Sequence, residues 1–566
     1  MVRIDIGATL AEPDWPVKRP TRTRMNRTSF EDERRDFRLE VPEHFNFSRD
    51  VVDRWAEDPQ RRALWWIDDH GNERQWTFAE LARDSRTVAS GLARLGVGRG
   101  DVVLVILPRI VEWWLTSLGC FRLGAVVSPG TVQLSAKDIA HRIQSADAAC
   151  VVTIPEVAPR VEEAIESLGN GTNVKACISA GGGWRPGWYG FADLLDGAPD
   201  DFETVDTRSD EMALLYFTSG TTGGPKMTVH THASYPLGNL ITGKFWLDLS
   251  EQDVHWNITD TGWAKAGWSS IFGPWHMGAT IFAHHEERFH AKRALQILDK
   301  YPITSVCAPP TILRMFVLED LSRYEFPSLR SVVTAGEPLN PETYESWEAA
   351  TGVTIREGYG QTETVVLVGA FRGVTPRPGS MGVAAPGFDL QVIGNDGNVL
   401  PAGREGDLAV RVKPDRPVGL FKEYWKEPER TARFFRGDWY ITGDRAVRDE
   451  DGYFHFVGRA DDVILSAAYR IGPFEVESAL LEHEAVAESA VVASPDRVRG
   501  SVVKAFIVLS PGYEPSAELA RELQQFVKRT TAPYKYPRRV EFVAELPKTV
   551  SGKIRRAELR QREIDG

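Results

Sequence analysis

Apolar and polar positions follow two recurring patterns along this chain. The first is a helical face. In TFAELARDSRTVASGLARLGV, residues 77–97, Phe78, Leu81, Val88, Leu92 and Leu95 fall on one side of a helix. Thr77 and Glu80 have capping-box spacing at its start, and Gly96 supplies a stop. The second pattern is a short continuous apolar run. DVVLVILP follows the helix directly, and AACVVT, MALLYF, ITSVCAP and SVVTAG are of the same kind. Such runs predict strands covered on both faces, and their alternation with helical segments predicts an α/β architecture built on largely parallel sheets.

The pattern also divides the chain. Residues 1–40 are mostly polar and predict an arm ahead of a large domain over 41–460. Farther on, FEVESALLEHEAVAES predicts a helix over 474–489, followed by strands in AVVASP and VVKAFIVLS, which together suggest a small α+β domain over 461–566. No internal repeat or low-complexity tract interrupts this order.

Composition narrows the class. With 566 residues the chain exceeds what one core usually supports. At 42% hydrophobic and 26% charged it reads as an ordinary globular protein, and no apolar run approaches the length of a bilayer span. A net charge of −12 disfavours a nucleic-acid partner. Oligomeric state is not legible. Cys120, Cys150, Cys177 and Cys307 are scattered without a C-x-x-C pair, so neither a zinc site nor a disulfide framework is expected. The N-terminal segment has no apolar h-region and mixes arginine with Asp5, Glu12 and Asp14, so the expected location is the cytoplasm.

Candidate chemistry begins at LLYFTSGTTGGPK, an apolar strand running into a Ser/Thr/Gly loop that ends at Lys226. Backbone N–H groups and hydroxyls in such a loop can converge on phosphate oxygens. It is not a Walker A loop: Pro225 stands where glycine is required, and Met227 replaces the metal-binding hydroxyl residue. Beyond it come GYGQTET (358–364), YITGD (440–444), GRADDVI (458–464) and PKTVSGK (547–553).

In this order and spacing the motifs resemble the adenylate-forming superfamily of acyl-CoA synthetases, luciferases and peptide-synthetase adenylation domains, over residues from about 40 to 562. SAAYRIGPFEVESALLEH, PDRVRGSVVKAFIVL and TAPYKYPRRVEF are similar to the medium-chain acyl-CoA synthetases in particular. The resemblance implies a ligase that joins a medium-chain or simple aromatic carboxylic acid to coenzyme A. The acid reacts with ATP and Mg2+ to give an acyl-adenylate and pyrophosphate, and the thiol then displaces AMP.

It also implies residue roles. Thr218, Ser219, Gly220, Thr221, Thr222, Gly223, Gly224, Pro225 and Lys226 would close over the β- and γ-phosphates. Thr362 would touch the α-phosphate, and Glu363 would coordinate magnesium. Gly336, Glu337 and Pro338 with Glu357, Gly358, Tyr359, Gly360 and Gln361 would hold the adenine, Tyr359 stacking on the base. Asp444, assisted by Arg459, would bind the ribose hydroxyls. Lys553 would reach the reacting oxygens during adenylation, then leave as the small domain rotates about Asp461. Gln133, Ala467, Ala468, Tyr469, Arg470, Arg499 and Lys528 would contact coenzyme A, with Arg470 also facing the reacting centre. Ala468 departs from the glycine common at its position, which predicts a slower thioester step. Trp263, Trp268 and Trp275 fall near the acyl region, with Gly267 and Val365 to Leu367 as further wall candidates.

Three alternatives share parts of this pattern: an adenylating enzyme with another acyl acceptor, a light-emitting oxidase, and a non-catalytic nucleotide-binding protein. Arg499 and Lys528 weigh against the first. Joint retention of Lys553, Glu363 and Asp444 weighs against the last.

Overall fold

The computed structural model describes residues 27–182, 185–218, 226–460, 462–466, 469–496, 500–531, 533–548 and 554–565. Every apolar run becomes an inner strand. Val102–Ile106, Ala148–Thr153 and Met212–Thr218 lie within an eight-stranded sheet, and Ser305–Cys307 and Ser331–Ala335 within a nine-stranded one. Both sheets are parallel through their middles and turn antiparallel at an edge. Val102–Ile106, Ala148–Thr153 and Ser331–Ala335 are buried at every position, which explains why their sequences do not alternate.

The capping box forms as expected. The Glu80 N–H donates to Thr77 Oγ1 at 3.2 Å, the Thr77 N–H donates to Glu80 Oε2 at 2.8 Å, and the helix runs Phe78–Arg94. Part of the polar arm is helical: Arg27–Asp36 folds onto the body, where Phe30 is 1% exposed and stacks on Phe371 at 5.2 Å. One apolar side chain anchors this otherwise polar segment.

A third, antiparallel sheet includes Glu405–Arg411, Trp439–Arg448 and Phe454–Arg459. Past it, a small α+β unit has its own core, in which Ile464, Val476, Val491, Ile507 and Leu523 pack together. Its helix is shorter than the sequence pattern predicts. It spans Pro473–Leu481, and Val486–Asp496 is a strand paired with Gly500–Leu509. Val486 suits either conformation locally, and pairing with a distant strand decides between them.

Candidate active site

Strands Met212–Thr218 and Lys226–Thr231 pair antiparallel with Thr218 opposite Lys226. Residues 219–225, which connect them, lie outside the described residues. The Lys226 ammonium stands 5.0 Å from the Tyr424 ring centre and 4.5 Å from that of Phe434. Ring quadrupoles at these distances attract a cation. Tyr424 reaches this place through strand register, opposite Thr228. Its phenol donates to Glu363 Oε1 at 2.7 Å. Burial and the neighbouring carboxylate hold the phenol well above its usual pKa, so it remains a donor.

Parallel strands Ser331–Ala335 and Ile355–Tyr359 end side by side, Ala335 opposite Gly358. Their carboxyl ends feed Gly336–Pro338 and Gly360–Glu363, the position at which open α/β sheets bind ligands. Two glycines permit close packing here. A Cβ on Gly358 would come 2.4 Å from the Trp246 indole, and one on Gly360 2.5 Å from that of Trp268. Glu357 ties the loops together, accepting from the Leu339 N–H at 2.7 Å, and burial pushes its carboxyl up to about 8. Glu337 pairs with Arg314 at 3.6 Å. Lys265, which sequence reasoning missed, donates to the Ala335 carbonyl beside Gly336.

Asp444 gathers the other end of the crevice. It is 3% exposed, and its Oδ2 accepts from the Tyr359 hydroxyl and from Gln361 Nε2, the latter at 2.7 Å. Gln361 also donates to the Thr442 carbonyl at 2.9 Å and accepts from the Tyr440 hydroxyl at 3.3 Å. Arg459 lies opposite Asp444 in the strand pair, its Nη1 3.3 Å from Oδ1. That approach is an ion pair without hydrogen-bond geometry, so Oδ1 is a buried acceptor still lacking a hydrogen bond. Tyr359 therefore meets Asp444 through its hydroxyl while half-buried itself.

Thr362 is fixed from below by His230. The Thr362 carbonyl can only accept, so Nε2 of the neutral His230 ring carries the proton and Nδ1 accepts from Ser234 Oγ–H at 3.1 Å, while Ser234 Oγ accepts from the Thr231 N–H at 2.8 Å. His230 Nε2–H then donates to the Thr362 carbonyl at 2.7 Å. Burial drives this imidazole down to about 3, so it is neutral.

Around the expected acyl region, Trp263 is half-buried ahead of the short helix Ala264–Gly267. A Cβ on Gly267 would meet Tyr235 at 2.6 Å and the Tyr216 hydroxyl at 2.8 Å, so glycine is required. Trp268 is buried against Gly360, and Val365, Val366 and Leu367 are fully buried. Trp275 is fully buried in the core, donating to the Ala63 carbonyl at 3.1 Å and packing on Phe78. The spacing of three tryptophans cannot separate a pocket wall from a core.

The structure thus brings Lys226, Glu363, Thr362, Gln361, Tyr359, Asp444 and Arg459 into one connected set. Gln133 is exposed. Lys528 lies apart, on Ala517–Thr530, with its Nζ 4.4 Å over the Tyr536 ring; Arg538 covers the same ring and donates to its hydroxyl at 2.7 Å. Tyr469 and Arg470 occupy a strand, and their side chains are outside the description. Asp461, Ala467, Ala468, Arg499 and Lys553 also lie outside the described residues. Besides Lys265, sequence reasoning missed Tyr424 and His230. A histidine in an apolar strand just after the loop was a usable signal; Tyr424 offered none.

Comparison with known proteins agrees with this geometry. The AMP-binding enzyme family matches residues 51–425, and the AMP-binding enzyme C-terminal domain matches residues 475–553. Acyl-coenzyme A synthetase ACSM3, mitochondrial, of Mus musculus is 52% identical over 552 residues, covering 96% of this chain and 95% of its own. The ACSM4 protein of Homo sapiens, also named mitochondrial, is 50% identical over 536 residues, covering 93% and 92%. Among solved structures, the anthranilate CoA ligase AuaEII in complex with anthranoyl-AMP has a TM-score of 0.84 at 30% identity, covering 93% of this chain and 98% of that one. A benzoate CoA ligase from Burkholderia xenovorans LB400 has a TM-score of 0.80 at 29% identity, covering 91% and 100%. The relatives overturn the cytoplasmic expectation, since those named here are mitochondrial enzymes and point to that compartment. Among the described residues no helix is long and apolar enough to cross a membrane. The chain belongs to the AMP-binding enzyme family, within its acyl-coenzyme A synthetases.

Proposed function

We propose that this acyl-CoA synthetase activates a medium-chain or simple aromatic carboxylic acid, with the crevice from Lys226 to Arg459 as its ATP site. The observation that carries the reading is Asp444 Oδ1, a buried acceptor without a hydrogen bond at the end of a fully connected set. A ribose hydroxyl is a donor of the right kind for it. From there the nucleotide would run past Tyr359 and Thr362 to Lys226, where the phosphates end.

Attack of a carboxylate on the α-phosphorus places negative charge on both the entering oxygen and the departing pyrophosphate. Lys226 supplies a compact cation at the pyrophosphate end. Among the described residues no cluster of three or more His, Cys, Asp or Glu side chains could hold a metal. That fits Mg2+ here, because this ion takes one or two carboxylates and completes its shell with phosphate oxygens and water. Glu363 would be that carboxylate, and the ion would neutralise phosphate charge. His230 keeps the Thr362 peptide oriented without adding a charge of its own. Lys553 from the C-terminal unit would complete adenylation and leave before the thiol step, with Asp461 as pivot, which carries the domain division 41–460 and 461–566 as part of the same reading.

Trp263, Gly267 and Trp268, with Tyr216 and Tyr235 packed behind Gly267, would form the aromatic side of the acid site, which would suit an apolar tail or a single ring. Coenzyme A would place its phosphates by Lys528, with Arg538 as a neighbouring cation, and its pantetheine arm past Gln133, Tyr469 and Arg470.

The test is pyrophosphate release with MgATP and a panel of acids from acetate to laurate plus benzoate, each with and without coenzyme A. Turnover that requires coenzyme A, together with thioester in the product, is the expected outcome. Release without thioester would redirect the proposal to another acceptor, and no release from any acid would overturn it.

A further inference from the structure

Among the described residues, Tyr424 meets both Lys226 and Glu363. Its ring is 1% exposed, so it is fixed by packing. Its position is set twice over, by its place opposite Thr228 in the strand pair and by its backbone N–H donating to Thr431 Oγ1 at 3.0 Å. The ring face carries the Lys226 ammonium, 5.0 Å from its centre. The hydroxyl edge holds Glu363 Oε1 at 2.7 Å. Phe434 packs edge-on against Tyr424 at 5.3 Å and completes the lysine's aromatic seat at 4.5 Å.

Without such a partition a lysine and a glutamate on neighbouring loops would attract each other, and a direct ion pair would spend both charges. The lysine would then be less available to a phosphate oxygen, and the carboxylate to a cation. A phenol resolves this, because its π face is negative and its hydroxyl edge is a donor. It offers the cation one surface and the anion another. Donation to Oε1 also restrains the Glu363 carboxylate at one of its two oxygens. The main chain is pinned as well, since the Phe421 N–H donates to the Glu363 carbonyl at 2.8 Å.

We infer that Tyr424 is a positioning residue for phosphoryl chemistry, holding Lys226 on its ring face and Glu363 on its hydroxyl so that the two charges act on MgATP instead of on each other. This rests on the assignment of Lys226 and Glu363 under the proposed function and adds a residue that acts through them.

Two substitutions separate the two contacts. Tyr424→Phe removes the hydroxyl and keeps the ring; Tyr424→Leu removes both. The readout is equilibrium binding of ATP by titration calorimetry, with and without Mg2+, on the full-length protein, with thermal melting as a fold control. Tyr424→Phe is expected to leave metal-free ATP affinity within about twofold and to raise the Mg2+ concentration that gives half-maximal enhancement about tenfold, the effect of losing a hydrogen bond to a charged group. Tyr424→Leu is expected to lower metal-free affinity about threefold to tenfold as well, because the cation loses a ring. Glu363→Gln serves as reference and should raise the Mg2+ midpoint, with little further change when Tyr424→Phe is added. If Glu363→Gln shifts the midpoint while a folded Tyr424→Phe does not, the inference about Tyr424 fails and the site assignment survives. If Glu363→Gln does not shift it, both fail. Equal losses from Phe and Leu, tracking melting temperature and blind to the metal, would mark a purely structural role and also overturn the inference.

Discussion

Replacing Asp444 by asparagine separates the binding role of this residue from its structural one. Asp444 Oδ2 accepts from Tyr359 and Gln361, while Oδ1 faces Arg459 at 3.3 Å. An amide can keep only one of these sides. With its carbonyl at Oδ2 it retains both hydrogen bonds, and its NH2 then stands at Oδ1 toward the guanidinium. The Arg459 side chain is 39% exposed, so losing that screened pair costs the fold below about 1 kcal/mol, and melting should shift by less than about 2–4 °C. The nucleotide fares worse. The carboxylate oxygen awaiting a ribose hydroxyl becomes a donor facing a donor, and a hydrogen bond to a charged group is worth about 1.5–3 kcal/mol. Asp444→Asn should therefore weaken ATP binding about tenfold to a hundredfold in a calorimetric titration. Deoxy-ATP analogues lacking the bonded hydroxyl should lose affinity for the wild type and lose little more for the variant. Unchanged ATP affinity in a folded variant, or a discrimination against the deoxy analogues that persists, would refute the argument.

Stability should depend on pH in two opposing ways. His230 and His255 are held near about 3, and His232 and His276 near about 4, all by burial. An unfolded histidine titrates near about 6.5. Below that value the unfolded chain takes up protons the folded chain refuses, so stability falls on acidification by up to about 1.4 kcal/mol per pH unit for each histidine. Thermal melts from about pH 8 down to about pH 5 check this, and a flat profile would contradict the neutral assignments. Glu357 runs the other way: its folded value near about 8 lies above the unfolded value near about 4.3, so its contribution is full below about 4.3, is lost progressively as pH rises from there, and is gone above about 8. Glu357→Gln, which keeps the acceptor for the Leu339 N–H, should melt with wild type near about pH 4, increasingly above it as pH rises toward about 8, and by a constant margin beyond. Ala468→Gly should raise the coenzyme A-dependent rate while leaving acid-dependent pyrophosphate exchange unchanged; an identical thioester rate would remove Ala468 from consideration.

Much of the scaffold was legible because it depends on local pattern. Val102–Ile106 and Ala148–Thr153 read as strands from uninterrupted apolar residues, since both their faces are covered. The helix Phe78–Arg94 announced its start through Thr77 and Glu80, because a cap is built within four residues. The helix expected over 474–489 failed where it depended on a partner: Val486–Asp496 is a strand only because Gly500–Leu509 lies beside it. The site divides along the same line. Lys226, Glu363 and Asp444 stand in motifs and could be named in advance. Tyr424 acquires its meaning from an acceptor 61 positions away, and His230 from a carbonyl 132 positions away. Tyr424 does not differ in sequence from an ordinary core aromatic, and His230 shows only its place just after the loop, not the carbonyl it meets.

What those long-range contacts share is that they keep the floor of the crevice uncharged. His230 is held neutral by burial, Glu357 is held protonated near neutrality, and the phenols of Tyr359, Tyr424 and Tyr440 are all pushed up, away from ionisation. Five titratable groups therefore contribute oriented dipoles and no net charge. Formal charge is carried by Lys226 and Glu363 at one end, by Asp444 with Arg459 at the other, and by Lys265 and the Glu337–Arg314 pair beside Gly336. If ATP is activated here as proposed, fixed dipoles would need little reorganisation as charge moves from carboxylate to pyrophosphate. An ionised residue on the floor would bind one state of that charge too strongly. On the proposed function, the buried network would act as a neutral platform beneath the charged groups that meet the substrate.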